Sequence, residues 1–230
     1  MDKKIAHEIR RVDVGQRELH LEVYYPREIS RAPGILLLHE VYGLKNWYRK
    51  DAADLAERGF LVYLPDLYSG EAIKYCIRAI ILTAGRKNRS SSSTNQEVHK
   101  LLDILGNDLR CSGQLGMLGA CLSGGFVLQM AKRKDMLAPV VYHHSLGTEG
   151  VGIPNKENLD DIRCLQGHWA SKDIFCPPRR RDELIEALGD RVEAYTYDMP
   201  HGFRSRSRKH PLSNVVWQRT VDFFERELKG

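Results

Sequence analysis

The 230-residue sequence has no apolar run long enough to cross a membrane, no Cys-x-x-Cys spacing and no internal repeat. The first absence excludes a helical membrane span, and the third excludes a solenoid or propeller. Five cysteines, at positions 76, 111, 121, 164 and 176, are an odd number without metal-ligand spacing. Neither a disulfide framework nor a zinc site is therefore expected, and reduced thiols fit a cytoplasmic setting. Residues Met1 to Glu8 return to charge before an apolar region of leader length can form, so no export signal is expected. Aromatic residues are few, at 8%, and do not interleave with the basic ones. The net charge of +5 is instead scattered in clusters around Arg86, Arg179 to Arg181 and Arg204 to Lys209. A nucleic-acid partner is accordingly not expected, nor is a membrane partner. No linker divides the chain, which implies a single domain over 1–230.

What the chain does contain is an alternation of strands and helices. Leu19, Leu21, Val23 and Tyr25 have the period of a half-buried strand, with a weaker strand before them near Ile5 to Val12. Ile35 to Leu38 and Phe60 to Leu64 are continuous apolar runs of the kind covered on both faces. Between them, Asn46 to Arg58 has a helical pattern closed by Gly59. A helix is expected from Ala72 to Ala84, followed by a mobile serine-rich loop from Gly85 to Ser93. Thr94 and Glu97 have capping-box spacing before a helix carrying Val98, Leu101, Leu102 and Leu105. Further strands are expected at Leu115 to Leu118, Pro139 to Tyr142, Ile162 to Gly167 and Val192 to Tyr197. Helices are expected at Pro177 to Leu188 and along the stripe of Trp217, Val221, Phe224 and Leu228. The class is α/β, with a mostly parallel sheet and helices on both faces.

One stretch carries reactive chemistry. Gly113 to Gly125 reads as a buried strand, a sharp turn and a helix start, with Cys121 at the tip of the turn. Small neighbours suit a nucleophile elbow, because the turn leaves no room for bulk. A helix beginning just after the thiol favours the thiolate. Gly119 stands two residues before Cys121, but Ser123 stands where a second glycine is usual. An alternative register makes Ser123 the nucleophile, with Gly125 two residues after it. The strand runs directly into Gly119, which favours Cys121.

Acyl transfer also needs a base, a group to orient it and donors for an oxyanion. His201, in Met199-Pro200-His201-Gly202-Phe203, and Asp173 each follow a predicted strand. The chain order of nucleophile, acid and histidine is that of an α/β-hydrolase triad. Glu40 follows the third strand, at the end of the sheet where ligand crevices form. His143 and His144 follow another strand and point to opposite faces, so a structural or pocket-lining role is expected in preference to a metal site. His39 has the same expectation beside Glu40.

At these residues the chain resembles the dienelactone hydrolase family, over nearly its whole length. The motifs are His39-Glu40-Val41-Tyr42-Gly43, the Gly119 to Gly125 elbow, the Asp173 loop and His201-Gly202-Phe203. The resemblance implies the α/β-hydrolase fold and hydrolysis of a small ester or lactone through a thioester, with no cofactor and no metal. It further implies Cys121 as nucleophile, His201 as base, Asp173 as orienting acid and Glu40 as the carboxylate controlling the thiol. Backbone N–H groups of Leu122 and Val41 would form the oxyanion hole. In that family a substrate carboxylate is held by arginines, for which Arg204 and Arg206, with Arg78 and Arg86 from a cap region, are the candidates here. Two other readings stand beside this one: a serine esterase using Ser123, and a non-catalytic binding protein that keeps the pocket without the chemistry. Oligomeric state is not legible in the sequence.

Overall fold

The computed structural model describes residues 4–68, 93–144, 159–206 and 210–230. The helix expected at Ala72 to Ala84, nearly all of the serine-rich loop, and Arg78 and Arg86 with them, lie outside the described residues. Among the described residues eight strands form one sheet. They are β1 (Ile5–Asp13), β2 (Glu18–Pro26), β3 (Ala32–Leu37), β4 (Leu61–Pro65), β5 (Cys111–Ala120), β6 (Met136–Tyr142), β7 (Leu165–Lys172) and β8 (Val192–Pro200). The helices are α1 (Asn46–Glu57), α2 (Ser93–Gly106), α3 (Leu122–Met130), α4 (Pro178–Leu188), the short α5 (Phe203–Arg206) and α6 (Pro211–Lys229).

The strand order is β1-β2-β4-β3-β5-β6-β7-β8. β1 pairs antiparallel with β2, and β2 with β4, while every pairing from β4 to β8 is parallel. From β3 the chain passes through α1 to β4 on one side and then returns to β5 on the other. The order therefore reverses between β3 and β5, and such a switch point opens a crevice at the carboxyl ends of the strands. Glu40 follows β3 and Cys121 follows β5, so the topology brings both to that crevice.

Strand alternation explains why this sheet is covered on both faces. Ile35 and Leu37 pack with Ala52, Leu55, Phe224 and Leu228 on the α1 and α6 side. Leu36 and Leu38 pack with Leu101, Leu105, Phe126 and Leu184 on the other side. Val62 and Leu64 against Leu61 and Tyr63 repeat the division one strand away.

Two expectations are revised. α2 begins at Ser93, so Thr94 lies within its first turn. The Glu97 carboxylate, expected to close a capping box, instead accepts hydrogen bonds from Arg17 Nε at 2.9 Å and from its terminal nitrogen at 2.8 Å. A guanidinium fork from β2's approach outcompetes a local backbone N–H for that carboxylate. The strand expected at Ile162 to Gly167 begins at Leu165 and continues to Lys172. Ile162 is held in a turn by its own N–H on Leu159 O and by Arg191, which donates to the carbonyls of Leu159 and Ile162. The shift puts Asp173 at the end of the strand itself.

Candidate active site

The elbow is built as its small residues require. Cys121 has φ 56° and ψ −122°, between the end of β5 and the first turn of α3. A non-glycine residue at positive φ costs on the order of 1–3 kcal/mol and persists only where its surroundings fix it. Here Cys121 N–H donates to Tyr142 O at 3.1 Å, and Gly124 N–H donates to Cys121 O at 3.1 Å. Gly119 is obligatory: a Cβ there would lie 2.5 Å from the Ser123 carbonyl oxygen. Gly124 lets α3 approach β6, since a Cβ would stand 3.0 Å from His144 Cα.

Ser123 is wholly buried inside the turn. Its Oγ donates to Ala120 O at 2.9 Å and accepts from Ala120 N–H at 3.0 Å. That hydroxyl ties the helix to the strand end beneath Cys121. Leu122 is the first residue of α3, so its N–H is among those without an intrahelical acceptor. Val41 is partly buried in the loop after β3.

Asp173 and His201 meet directly. His201 Nδ1 lies 2.7 Å from Asp173 Oδ2 and 2.9 Å from Oδ1. A carboxylate accepts only, so Nδ1 carries the proton and Nε2 keeps the lone pair. Nε2 makes no hydrogen bond among the described residues. Asp173 Oδ1 also accepts from the N–H groups of Phe175 at 2.8 Å and Cys176 at 2.9 Å. Phe175 meets the His201 ring edge-on, with centroids 5.0 Å apart.

Glu40 is buried at 2% exposure on a loop fixed from several directions. Its N–H donates to Tyr48 Oη of α1 at 2.9 Å, and its carbonyl accepts from Gly43 N–H at 3.1 Å. The same carbonyl accepts from His39 Nδ1 at 2.8 Å, while His39 Nε2 accepts from Leu67 N–H at 3.1 Å. His39 is therefore a scaffold residue beneath the loop, with Asp66 Oδ1 3.5 Å from the same Nε2. One Glu40 oxygen, Oε1, lies 3.5 Å from His143 Nε2.

His143 and His144 do point to opposite sides. His143 faces Glu40 and the His201 ring, whereas His144 accepts from Trp169 Nε1 at 3.2 Å and approaches Cys176 Sγ at 3.6 Å. Burial lowers the His144 pKa to about 4 and raises that of the Cys176 thiol to about 12. Both are neutral near pH 7, and the imidazole Nε2–H faces the sulfur. The position of His143 between Glu40 and His201 was not specified by its sequence spacing. The available signal was only its place at the carboxyl end of a parallel strand.

Among the described residues, one nitrogen each from His143 and His201 and one Asp173 oxygen lie within 4.8 Å of one another. Such a set has metal-ligand chemistry, but Asp173 already accepts the His201 proton and two backbone N–H groups. Within the set, Asp173 and His201 are bonded to each other and the His143 ring stands edge-on beside His201.

Arg204 is engaged by partners within the protein. It is 7% exposed; one terminal nitrogen donates to Asp51 Oδ1 at 2.9 Å and the other to Ser213 Oγ at 3.1 Å. Its guanidinium lies over the Trp217 ring at 4.8 Å. The pair fastens the chain just after His201 to α1, the same helix that supports Glu40 through Tyr48. The Arg206 side chain lies outside the described residues.

A strand-turn-helix with Cys121 at positive φ, and an acid–histidine pair at the ends of β7 and β8, fit the α/β-hydrolase fold. The family model for the dienelactone hydrolase family matches residues 21–228, and the chain belongs to that family. The chain is similar to a carboxymethylenebutenolidase of Rhodococcus opacus, with 29% identity over 210 residues, covering 84% of this chain and 81% of that protein. It is also similar to carboxymethylenebutenolidase 1 of Cupriavidus pinatubonensis, with 24% identity over 191 residues, covering 76% of this chain and 77% of the relative. Solved structures with the same fold include the dienelactone hydrolase from Anabaena variabilis, with TM-score 0.71, 18% identity and coverage of 98% and 99% of the two chains. A dienelactone hydrolase-like promiscuous phosphotriesterase from metagenomic libraries has TM-score 0.78, 15% identity and coverage of 98% and 99%. The protein is thus a hydrolase of the dienelactone hydrolase type. Among the described residues no helix is long and apolar enough to cross a membrane.

Proposed function

We propose that this protein hydrolyses a small ester or lactone with Cys121 as nucleophile, His201 as general base and acid, and Asp173 as the group that orients it. The observation that carries this reading is Cys121 at φ 56° on the elbow, in a chain whose Asp173 holds His201 with Nε2 as the basic nitrogen. In the acylation step His201 Nε2 takes the thiol proton and the thiolate attacks the carbonyl carbon. The carbonyl electron pair moves to oxygen, where the N–H groups of Leu122 and Val41 receive the charge. Collapse expels the alcohol or enol oxygen, which takes the proton from His201, and leaves a thioester on Cys121. Water then gives a proton to Nε2 and attacks the thioester, and the thiol recovers that proton as the acid departs. In a lactone the leaving oxygen remains part of the acyl chain throughout, and the second step frees the opened hydroxy or enol acid from Cys121.

Glu40 is assigned the control of the thiol's charge from its buried place at the switch point. A carboxylate near a thiolate in a low-dielectric crevice disfavours that thiolate, so its position sets how readily Cys121 ionises. Ser123 is unsuited to nucleophilic attack, because its hydroxyl is wholly buried and bonded to both backbone groups of Ala120. The exposed apolar residues Ile174 and Phe175 beside Asp173 and His201 suit an uncharged acyl or alkyl group. With Arg204 engaged by Asp51, anion recognition would fall to arginines other than Arg204. The test is turnover of p-nitrophenyl esters and unsaturated lactones by the wild type and by Cys121→Ala. Loss of turnover and of a thioester-mass adduct in the variant is expected; undiminished turnover sinks the assignment.

A further inference from the structure

His143 is the point at which β6 turns into the crevice. Its φ is 30°, a conformation that side-chain-bearing residues rarely adopt, and its N–H is held by His168 O at 2.8 Å. The residue before it, Tyr142, accepts the Cys121 N–H at 3.1 Å. The elbow and His143 are therefore fixed by one run of backbone hydrogen bonds across β5, β6 and β7. The ring is wholly buried.

Its surroundings come from three other strand ends. From the loop after β3, Glu40 Oε1 lies 3.5 Å from Nε2. From the loop after β8, the His201 ring stands at 4.4 Å between centroids and 64° between planes, with Phe203 at 5.2 Å. From the end of β7, an Asp173 oxygen lies within 4.8 Å of a His143 nitrogen. His144, the next residue on its own strand, faces Trp169 and Cys176 and takes no part.

We propose that His143 is a positioning residue that couples Glu40 to His201, so that the charge on the carboxylate is felt at the catalytic imidazole and at Cys121 through one buried ring. This rests on the assignment of Cys121, His201 and Asp173 as the hydrolytic triad. In a crevice shielded from water, a carboxylate and an imidazole at this separation influence each other's protonation strongly. The edge-on approach to His201 makes that ring sensitive in turn, since a ring edge carries positive charge that grows when the imidazole is protonated. The charge on Glu40 thus acts on the His143 ring, and through its edge-on contact on the His201 ring.

The experiment uses Glu40→Gln, His143→Asn, which tolerates positive φ, and His143→Phe, which keeps the ring contacts with His201 and Phe203. Each is made singly, and Glu40→Gln is also combined with His143→Asn. The rate of Cys121 carbamidomethylation by iodoacetamide is followed by intact mass across pH, beside kcat and KM for a p-nitrophenyl ester. In variants that keep the wild-type melting transition, the alkylation midpoint is expected to move by about 0.5 pH or more, with kcat falling roughly tenfold at nearly constant KM. The double variant is expected to add less than about twofold to His143→Asn alone. A merely structural role would lower kcat without moving the midpoint. Superimposable alkylation profiles, or effects of Glu40→Gln and His143→Asn that multiply, overturn the proposal. Ring NMR of His143 in Glu40→Gln gives an arm that needs no substitution at His143: its titration midpoint is expected to shift, and an unchanged midpoint overturns the coupling. Retained turnover in Cys121→Ala would instead overturn the triad assignment, which the NMR arm does not use.

Discussion

Asp173 accepts the Nδ1 proton of His201 at 2.7 Å while two backbone N–H groups, from Phe175 and Cys176, hold the same carboxylate. The acid is therefore fixed independently of the histidine it orients. Replacing it by an amide keeps the shape but allows the NH2 group to face Nδ1, which favours the wrong imidazole tautomer. Asp173→Asn is expected to lower kcat on the order of 10³ to 10⁴-fold with KM little changed. Steady-state kinetics on an aryl ester check this, and a loss below tenfold would contradict it.

Cys121 and Ser123 are separated by their different engagements. Cys121→Ala should abolish turnover, whereas Ser123→Ala should retain the chemistry within about tenfold and lose roughly 1–3 kcal/mol of stability from the hydrogen bonds to Ala120. Urea unfolding measured beside turnover distinguishes the two. An inactive but stable Ser123→Ala would reverse the assignment.

The Arg204–Asp51 pair predicts a stability effect that is indifferent to substrate charge. Both side chains are nearly buried, so Asp51→Ala leaves a guanidinium facing a low-dielectric space. The expected loss is about 3–5 kcal/mol, seen as a lower melting temperature. Because this pair anchors the chain after His201, kcat/KM for neutral and carboxylate-bearing esters should fall together in Arg204→Met. A selective loss for the anionic ester would assign Arg204 to substrate.

Acid should destabilise the fold through His144. Burial lowers its folded-state pKa from 6.5 to about 4, with Asp173 partly opposing the shift. Between those values the unfolded chain binds a proton that the folded chain refuses. The stability is therefore complete above pH 6.5 and is lost as pH falls through 4, up to about 3 kcal/mol. His168 is shifted in the same direction, chiefly by burial. Urea unfolding at pH 5 and pH 7.5 should show the difference, and His144→Gln should flatten it.

The chain's local patterns were sufficient for much of this architecture. Apolar runs such as Ile35 to Leu38 need both faces covered, which is a property of the residues themselves and calls for a parallel sheet. Gly119 before Cys121 marks the elbow for an equally local reason, since any Cβ there strikes the next turn of chain. The ends of elements were less legible. Arg191 holds the Leu159 to Ile162 turn from another part of the chain, and Arg17 takes Glu97 from its expected cap.

Long-range partners decided the rest. The sequence by itself determined that Cys121, Asp173 and His201 follow strand ends, because side-chain type and periodicity are carried residue by residue. Only the tertiary structure decided that Arg204 joins Asp51, that Ser123 is bonded into the elbow, and that His143 stands between Glu40 and His201. Each of those outcomes depends on which strands become neighbours and on how burial forces polar groups to find partners there, and neither is encoded in any one stretch of chain.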